Sequence, residues 1–468
     1  LHHLKSMETL KIINKTSEEE EIDSMNVRAA CVMKDDIEQS LSLSRKAIEL
    51  AKHSGYEHGL AKGYLNSGYC CRLLASFEPA IEYFENALHI FRSIGDKRGL
   101  SRALNGIANV HLNLSNFEKA INFYDECIYV LNSTGDIEFE ASVLTNRGLA
   151  YQQFGNLKAS LNNYLESLSI YRAAGNEIHY ALLNNLGIVY LETGNYNGSL
   201  LYFTEALKKI KLKKQINDES FALANIGRTY LYMEDYLNAI TYLSEAMIIM
   251  KRYGNRQAET QVYANLGKAY RRMRNYPDSV KYYNRALKYY REISDRSSVA
   301  HTLCEMGELY FELNDFRSSK LLFAEGLEIS KEIKDSVNEV RIHTGLARLY
   351  VKFHETERAE TYLHSAKELA KARNAYKELS LIFKLNSELY GISGDLKSSK
   401  ENLDKYYYYM KKLSDIAEEN RLQALMLGHF HGGINNDDTI QNENGTTENL
   451  PSENQAAKIY LKPALKFA

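Results

Sequence analysis

The chain contains no tryptophan and only four prolines in its 468 residues. Proline inside a helix removes a backbone hydrogen bond and clashes with the preceding turn, so its scarcity leaves long stretches free to be helical. Pro79 and Pro277 fall in the first turn of a predicted helix, where the missing N–H costs little. Proline therefore interrupts no predicted helix.

The chain also has few cysteines, almost no net charge and no long apolar run. The five cysteines are an odd number, which favours free thiols in a reducing compartment. With 58 basic and 60 acidic residues the net charge is −2, so no overall field attracts nucleic acid or an anionic membrane. No run approaches the roughly 18 apolar residues of a membrane span, and the first residues lack the apolar run of a secretory signal. We therefore expect a cytoplasmic protein with neither nucleic acid nor membrane as a partner.

One segment, Leu223 to Tyr236 (LANIGRTYLYMEDY), recurs along most of the chain. Its central glycine belongs to a column of small residues that are 40 positions apart, with one step of 39. This marker column consists of Gly68, Ala108, Gly148, Gly187, Gly227, Gly267, Gly307, Ala347 and Ser387. Nine copies in phase identify an internal repeat.

Each repeat places large and small residues at fixed distances from its marker. The third position after the marker is tyrosine in seven consecutive copies, from Tyr151 to Tyr390, and the twelfth is always alanine or serine. Apolar residues at spacings of three and four predict two amphipathic helices per repeat, joined by a turn that carries an Asn or Asp cap. The sequence thus predicts an all-α solenoid of about nine to ten antiparallel helix-turn-helix repeats.

These columns resemble those of the tetratricopeptide repeat, which has a small marker residue, a tyrosine three positions on, and alanine or serine twelve positions on. The resemblance covers roughly residues 61–420 and implies a right-handed superhelix. The repeat is 40 residues long instead of the common 34, and it lacks the usual tryptophan and closing proline. This longer form resembles the repeats of LGN-type polarity adaptors, of the Rap family of bacterial peptide receptors, and of the sensor halves of bacterial signalling proteins.

The pattern divides the chain into five segments. Residues 1–20 are polar and expected to be flexible, and residues 21–60 form a degenerate capping repeat. Residues 61–420 form the array of nine repeats. The last helix pattern, residues 398–427, is longer than its predecessors, and we expect it to cap the array, project from it or mediate self-association. Residues 428–468 are rich in Asn, Asp, Thr and Glu and are expected to be disordered.

No insertion interrupts the nine repeats, so no loop is long enough to carry a grafted active site. We therefore expect no enzymatic activity, no cofactor and no metal. The favoured function is a scaffold or adaptor in intracellular signalling that binds a peptide or partner protein in a concave groove. Two alternatives remain: a Rap-like peptide-responsive regulator of a signalling or transcription protein, and the sensor half of a signalling enzyme whose effector domain is absent.

The resemblance also implies where that groove lies. In tetratricopeptide arrays it is lined by first-helix positions −6, −3, −2, +1, +4 and +5 from the marker, which we name the inner stripe. Asparagine recurs at −3 and −2 although it is a poor helix former, which indicates exposed amides that bind a peptide backbone. These asparagines are Asn66, Asn105, Asn146, Asn184, Asn185, Asn225 and Asn265. The alternative is that the amides cap or bridge adjacent helices.

Basic residues occupy the middle of the inner stripe. They are Arg228, Lys268, Arg271 and Arg272, followed in later repeats by Arg341, Arg348 and Lys352. A basic groove suits an acidic peptide or a chain terminus with its carboxylate. The alternative is that Glu305, Glu308 and Glu312 of the neighbouring repeat pair with these cations.

Overall fold

The computed structural model describes the backbone of residues 16–430 and the side chains of residues 16–416 and 418. Every regular element in this part of the chain is an α-helix. The helices are α1 (Ser17–Val32), α2 (Ile37–Ser54), α3 (Glu57–Leu73), α4 (Phe77–Ser93), α5 (Lys97–Asn113), α6 (Phe117–Leu131), α7 (Ile137–Gln153), α8 (Leu157–Ala173), α9 (Tyr180–Glu192), α10 (Tyr196–Leu212), α11 (Ile216–Tyr232), α12 (Tyr236–Arg252), α13 (Arg256–Arg272), α14 (Tyr276–Glu292), α15 (Arg296–Glu312), α16 (Phe316–Glu332), α17 (Ser336–Lys352), α18 (Thr356–Ala372), α19 (Tyr376–Ile392) and α20 (Leu396–Phe430).

The helices pack in successive pairs, from α1 with α2 to α19 with α20, and each pair also contacts the next. The nine pairs from α3 to α20 coincide with the nine sequence repeats, and α1 and α2 form a tenth pair before them. The predicted all-α repeat solenoid is thereby confirmed. None of the helices within residues 16–430 has both the length and the apolar content that crossing a membrane requires.

The array begins with a capped helix. The Thr16 hydroxyl accepts a hydrogen bond from the backbone N–H of Glu19, and the Glu19 carboxylate accepts one from the backbone N–H of Thr16. This capping box satisfies two donors that a helix start leaves unpaired. Helix α1 therefore starts at Ser17, inside the segment 1–20 that the sequence predicts to be flexible.

Each first helix ends in a residue with left-handed backbone, seven positions after the marker. Glycine supplies it at Gly155, Gly194 and Gly394. The other six repeats place a residue with a side chain there, at φ between 56° and 63°: Ala75, Ser115, Glu234, Arg274, Asn314 and His354. The close packing of the two helices therefore imposes this turn even where glycine is missing.

The marker column lets the two helices of one repeat touch. A Cβ atom on Gly187 would lie 2.6 Å from the Phe203 ring, and one on Gly307 would lie 2.6 Å from the Phe323 ring. Both rings are fully buried. The Ser319 hydroxyl, twelve positions after its marker, donates to the carbonyl of Gly307. The predicted packing of small residues against large ones is confirmed, with the large residue 16 positions after the marker.

The last helix, α20, is 35 residues long, about twice the usual 17. Its first half packs along α19, where the rings of Tyr409 and Phe383 stack at 5.5 Å. Lys412 lies over the ring of Tyr376, which is the first residue of α19. The second half of α20 extends past this point, and α20 also contacts α8 six repeats earlier. Most of the predicted tail, residues 431–468, lies outside the described residues.

Candidate functional site

The odd-numbered helices form one continuous wall. Each contacts the next odd-numbered helix in an unbroken series from α1 to α19, whereas successive even-numbered helices make at most slight contacts with one another in the described part of the chain. In a curved array the helices that lie closest together are on the inner side. The first helix of every repeat therefore faces inward, and the inner stripe belongs to these inward-facing helices.

The asparagines of the inner stripe are less exposed than the sequence indicates. Asn66 and Asn105 are buried, with 9% and 6% of their surface exposed, so the prediction of an exposed amide is wrong for these two. The Asn66 amide donates to the carbonyl of Asn26 at 3.0 Å. Positions −3 and −2 lie where one first helix approaches the next, and that approach buries Asn66 and Asn105.

Four of the asparagines bridge neighbouring first helices in pairs. The Asn146 amide donates to the side-chain oxygen of Asn105 at 3.3 Å, and the Asn225 amide donates to that of Asn184 at 2.9 Å. These contacts join α7 to α5 and α11 to α9. They are the inter-helix bridges that the sequence left open as the alternative, and they occupy one amide N–H of Asn146 and of Asn225.

Asn185 and Asn265 differ from the others. Both are half-buried, and neither side chain makes a hydrogen bond with the residues that the structure describes. Each therefore keeps an amide donor and an acceptor for another molecule. They lie two positions before the markers of α9 and α13, on either side of Asn225 in α11.

Arg271 is not part of an open basic surface. Its side chain is only 6% exposed, and its guanidinium donates to Glu305 at 3.0 Å and to Glu312 at 3.2 Å. Arg341 donates to the other oxygen of Glu305, and the Tyr283 hydroxyl also donates to Glu305. This buried ion-pair network joins α13, α14, α15 and α17. The alternative of pairing between repeats is correct for Arg271 and Arg341, and also for Arg348, which pairs with Glu308.

Burial alone would raise the pKa of Glu305, but Arg271 and Arg341 hold it well below the usual range of a carboxyl group. Glu305 is therefore ionised at neutral pH. A buried carboxylate with two guanidinium partners stabilises the junction of three first helices only while all three charges are present.

Arg228 and Lys268 lie outside this network of ion pairs. Both are half-buried on adjacent first helices, and neither makes an ion pair within the described part of the chain. Burial lowers the pKa of Arg228 and of Lys268. The Nε–H of Arg228 is buried and has no hydrogen-bond acceptor among the residues that the structure describes. Arg272, one turn after Lys268, is exposed and also has no ion pair among the described residues.

Two exposed aromatic side chains on the same first helix as Arg228 were not predicted as site residues. Phe221 and Tyr232, the −6 and +5 positions of α11, are 43% and 50% exposed. Lys268 lies over the Tyr232 ring at 5.5 Å. Their positions on the inner stripe could have identified both as site residues from the sequence. We name the surface formed by Asn185, Phe221, Asn225, Arg228, Tyr232, Asn265, Lys268 and Arg272 the central groove.

The comparisons with known proteins concern the repeat and the fold. The family model described as Tetratricopeptide repeat matches residues 59–133, 99–173, 139–210, 218–292 and 258–332. No curated protein matches the chain.

Several solved structures have a similar fold. The apo form of RapI has 16% sequence identity and a TM-score of 0.60, covering 76% of this chain and 99% of its own. The apo form of the quorum sensor NprR from B. thuringiensis has 16% identity and a TM-score of 0.54, covering 76% and 98%. NprR in complex with its cognate peptide NprX has 14% identity and a TM-score of 0.51, again covering 76% and 98%. At these identities the similarity shows the fold alone.

The family model spans more than half of the chain, and its matches fall on the same helix pairs that the columns define. This protein therefore belongs to the tetratricopeptide repeat family.

Proposed function

We propose that this protein is a non-catalytic interaction scaffold whose central groove binds an extended acidic peptide, or an acidic segment of a partner protein. The observation that carries the proposal is the pair of half-buried cations, Arg228 and Lys268, which make no ion pair with any residue that the structure describes. A cytoplasmic signalling role is part of the proposal.

The cations define the charge of the ligand. A buried guanidinium N–H without an acceptor is unfavourable by about 1–3 kcal/mol, and a ligand carboxylate that accepts from Arg228 relieves this cost. Burial lowers the pKa of Lys268, and the nearby cations Arg341, Lys377 and Arg272 act in the same direction against the raising effect of Glu305. A carboxylate beside Lys268 is therefore favoured over a neutral or basic group.

The side chains around these cations define the conformation of the proposed ligand. Asn185 and Asn265 offer a donor and an acceptor each, which match the backbone N–H and C=O of an extended chain. They lie on first helices on either side of α11, so an extended segment that crosses the wall reaches both. Phe221 and Tyr232 supply apolar contacts for ligand side chains. Among the proteins of similar fold, NprR has been solved with its cognate peptide NprX, which supports a peptide as the kind of ligand.

Selection from a random peptide library on the immobilised full chain tests the proposal. We expect selected peptides to be rich in Asp and Glu, and to bind at least about tenfold more weakly, 1.4 kcal/mol, to an Arg228→Gln and Lys268→Gln double variant. The matched control changes Arg252 and Lys288, exposed cations of α12 and α14, to Gln. Peptides without acidic residues, or equal loss in the control, would contradict the proposal.

A further inference from the structure

Helix α20 carries large apolar side chains on a face that no element in residues 16–430 covers. Leu403, Tyr407 and Met410 are 37%, 60% and 43% exposed, even though α20 packs on α19 and contacts α8. Their spacing of four and three places them on one side of the helix. Tyr406, Tyr409 and Leu413, which are half-buried, occupy the different side that faces α19. We name the uncovered side, with its flanking charges, the free face of α20.

We propose that the free face of α20 binds the same face of a second copy of this chain, with the two helices antiparallel about a two-fold axis between Tyr407 and Tyr408. This proposal goes beyond ligand binding in the central groove, because it concerns another surface and needs no ligand. A symmetric contact brings the same patch of both copies together, so the patch must be complementary to itself.

The charges along α20 meet that requirement. Rotation about the proposed axis places residue 404 opposite residue 411, residue 400 opposite 415, and residue 397 opposite 418. The pairs formed in this way all have opposite charges: Asp404 with Lys411, Lys400 with Asp415, and Lys397 with Glu418. Each pair forms twice in the dimer.

All six charged residues also lie on the correct side of the helix. At about 100° per residue they fall along one edge of the free face, next to Leu403 and Tyr407. All six are exposed, and none makes an ion pair with another described residue. In an antiparallel pair of helices equivalent edges meet, so these charges lie beside their opposite partners while Leu403, Tyr407 and Met410 bury one another.

The size of the contact indicates a reversible dimer. Residues 397–418 span about 33 Å at 1.5 Å per residue, and a single helix pair of this length is close to the lower limit of a specific interface. The charge pairs stay near solvent, where each contributes little but selects the antiparallel register. We therefore expect the dimer to dissociate on dilution and to weaken at high salt.

Sedimentation velocity of the full chain over the micromolar range tests the proposal. Asp404→Lys and Lys411→Asp each replace two opposite-charge contacts by two like-charge contacts, and each alone should weaken the dimer about tenfold. The Asp404→Lys and Lys411→Asp double variant restores opposite charges with exchanged signs and should regain most of the wild-type affinity. Glu245→Lys, an exposed reversal on α12, is the matched control and should leave the dimer unchanged.

Both positions are exposed, so circular dichroism should be the same for all variants. The proposal is overturned if the wild-type chain is a monomer throughout the range, or if the single variants dimerise as well as wild type. It is also overturned if the double variant stays as weak as the single ones, because antiparallel pairing requires recovery. None of these outcomes bears on peptide binding in the central groove, which is measured separately.

Discussion

Six repeats end their first helix with a left-handed residue that has a side chain, although glycine fits this conformation best. Ala75 has φ 56° and is exposed, so its Cβ contributes strain and little packing. We expect Ala75→Gly to stabilise the chain by about 1 kcal/mol. The control is Ala324→Gly in the middle of α16, which should destabilise by about 1 kcal/mol because glycine disfavours helix. Urea unfolding measures both, and a loss of stability in Ala75→Gly would contradict the assigned turn.

The buried carboxylate of Glu305 gives a second prediction at the residue scale, for the free energy of unfolding. Glu305→Gln leaves the buried guanidinium of Arg271 without full compensation, so we expect a loss of about 3–5 kcal/mol at neutral pH. Glu332→Gln, which removes an exposed pair with Arg296, should cost less than about 1 kcal/mol. Equal effects of the two changes in denaturant unfolding would show that the Glu305 network is not buried.

The pH dependence follows from the lowered pKa of Glu305. Its folded pKa lies well below the ordinary value of 4.5, so its carboxylate contributes stability that is fully present above about pH 4.5. This contribution is lost as the pH falls below 4.5 toward the folded pKa. The stability difference between wild type and Glu305→Gln should therefore be constant from pH 7 to 5 and shrink in more acidic solution. A difference that grows on acidification would contradict this assignment.

At the residue scale, the sequence predicted which residue types recur at each helix position better than it predicted which of those side chains are exposed. The period of one helix separates its buried side from its outer side, but it carries no information on how closely the next repeat approaches. That approach buries Asn66 and Asn105. Ion pairing between neighbouring repeats follows a spacing that is visible in the sequence. The pairs Arg271 and Glu305, Arg92 and Glu126, and Arg291 and Glu325 are each separated by 34 residues.

At the scale of the helix pair, the marker and the buried aromatic residue form one unit. Gly187→Ala would place a methyl group against the Phe203 ring, and we expect a loss of about 1–3 kcal/mol from overpacking. Leucine in place of Phe203 removes the ring atoms that this methyl group would meet. The Gly187→Ala and Phe203→Leu double variant should therefore be more stable than the sum of the two single changes predicts. Additive effects in thermal unfolding would show that these residues do not contact each other.

The helices themselves were predictable, because nine in-phase copies reinforce the same spacing of apolar residues. The helix ends were predictable because their signals are local. A turn glycine supplies the left-handed residue that ends the first helix, and a residue such as Asn156 or Asn195 then accepts a hydrogen bond from the backbone N–H at the start of the second helix. The start of α1 at Ser17 was missed, although Thr16 and Glu19 have the spacing of a capping box.

At the scale of the whole molecule, the curvature of the repeat array decides which surface can form the proposed groove. The sequence gives the order of the helices, and the family resemblance placed the inner stripe, but the contact of α20 with α8 depends on the accumulated rotation of six repeats. No local pattern encodes that sum. The assembled array pairs Arg271, Arg341 and Arg348 with carboxylates and leaves Arg228 and Lys268 without an ion pair among the described residues. The proposed central groove is therefore a property of the assembled array.

The most direct test of the central groove is the coupling between a ligand carboxylate and these cations. Calorimetry would compare a selected acidic peptide with its amide counterpart, each titrated into wild type and the Arg228→Gln and Lys268→Gln double variant. We predict that replacing the carboxylate weakens binding at least about tenfold more in wild type than in the variant, a coupling of 1.4 kcal/mol or more. If the two changes act independently, Arg228 and Lys268 do not contact the carboxylate, and the proposed function of the central groove is wrong.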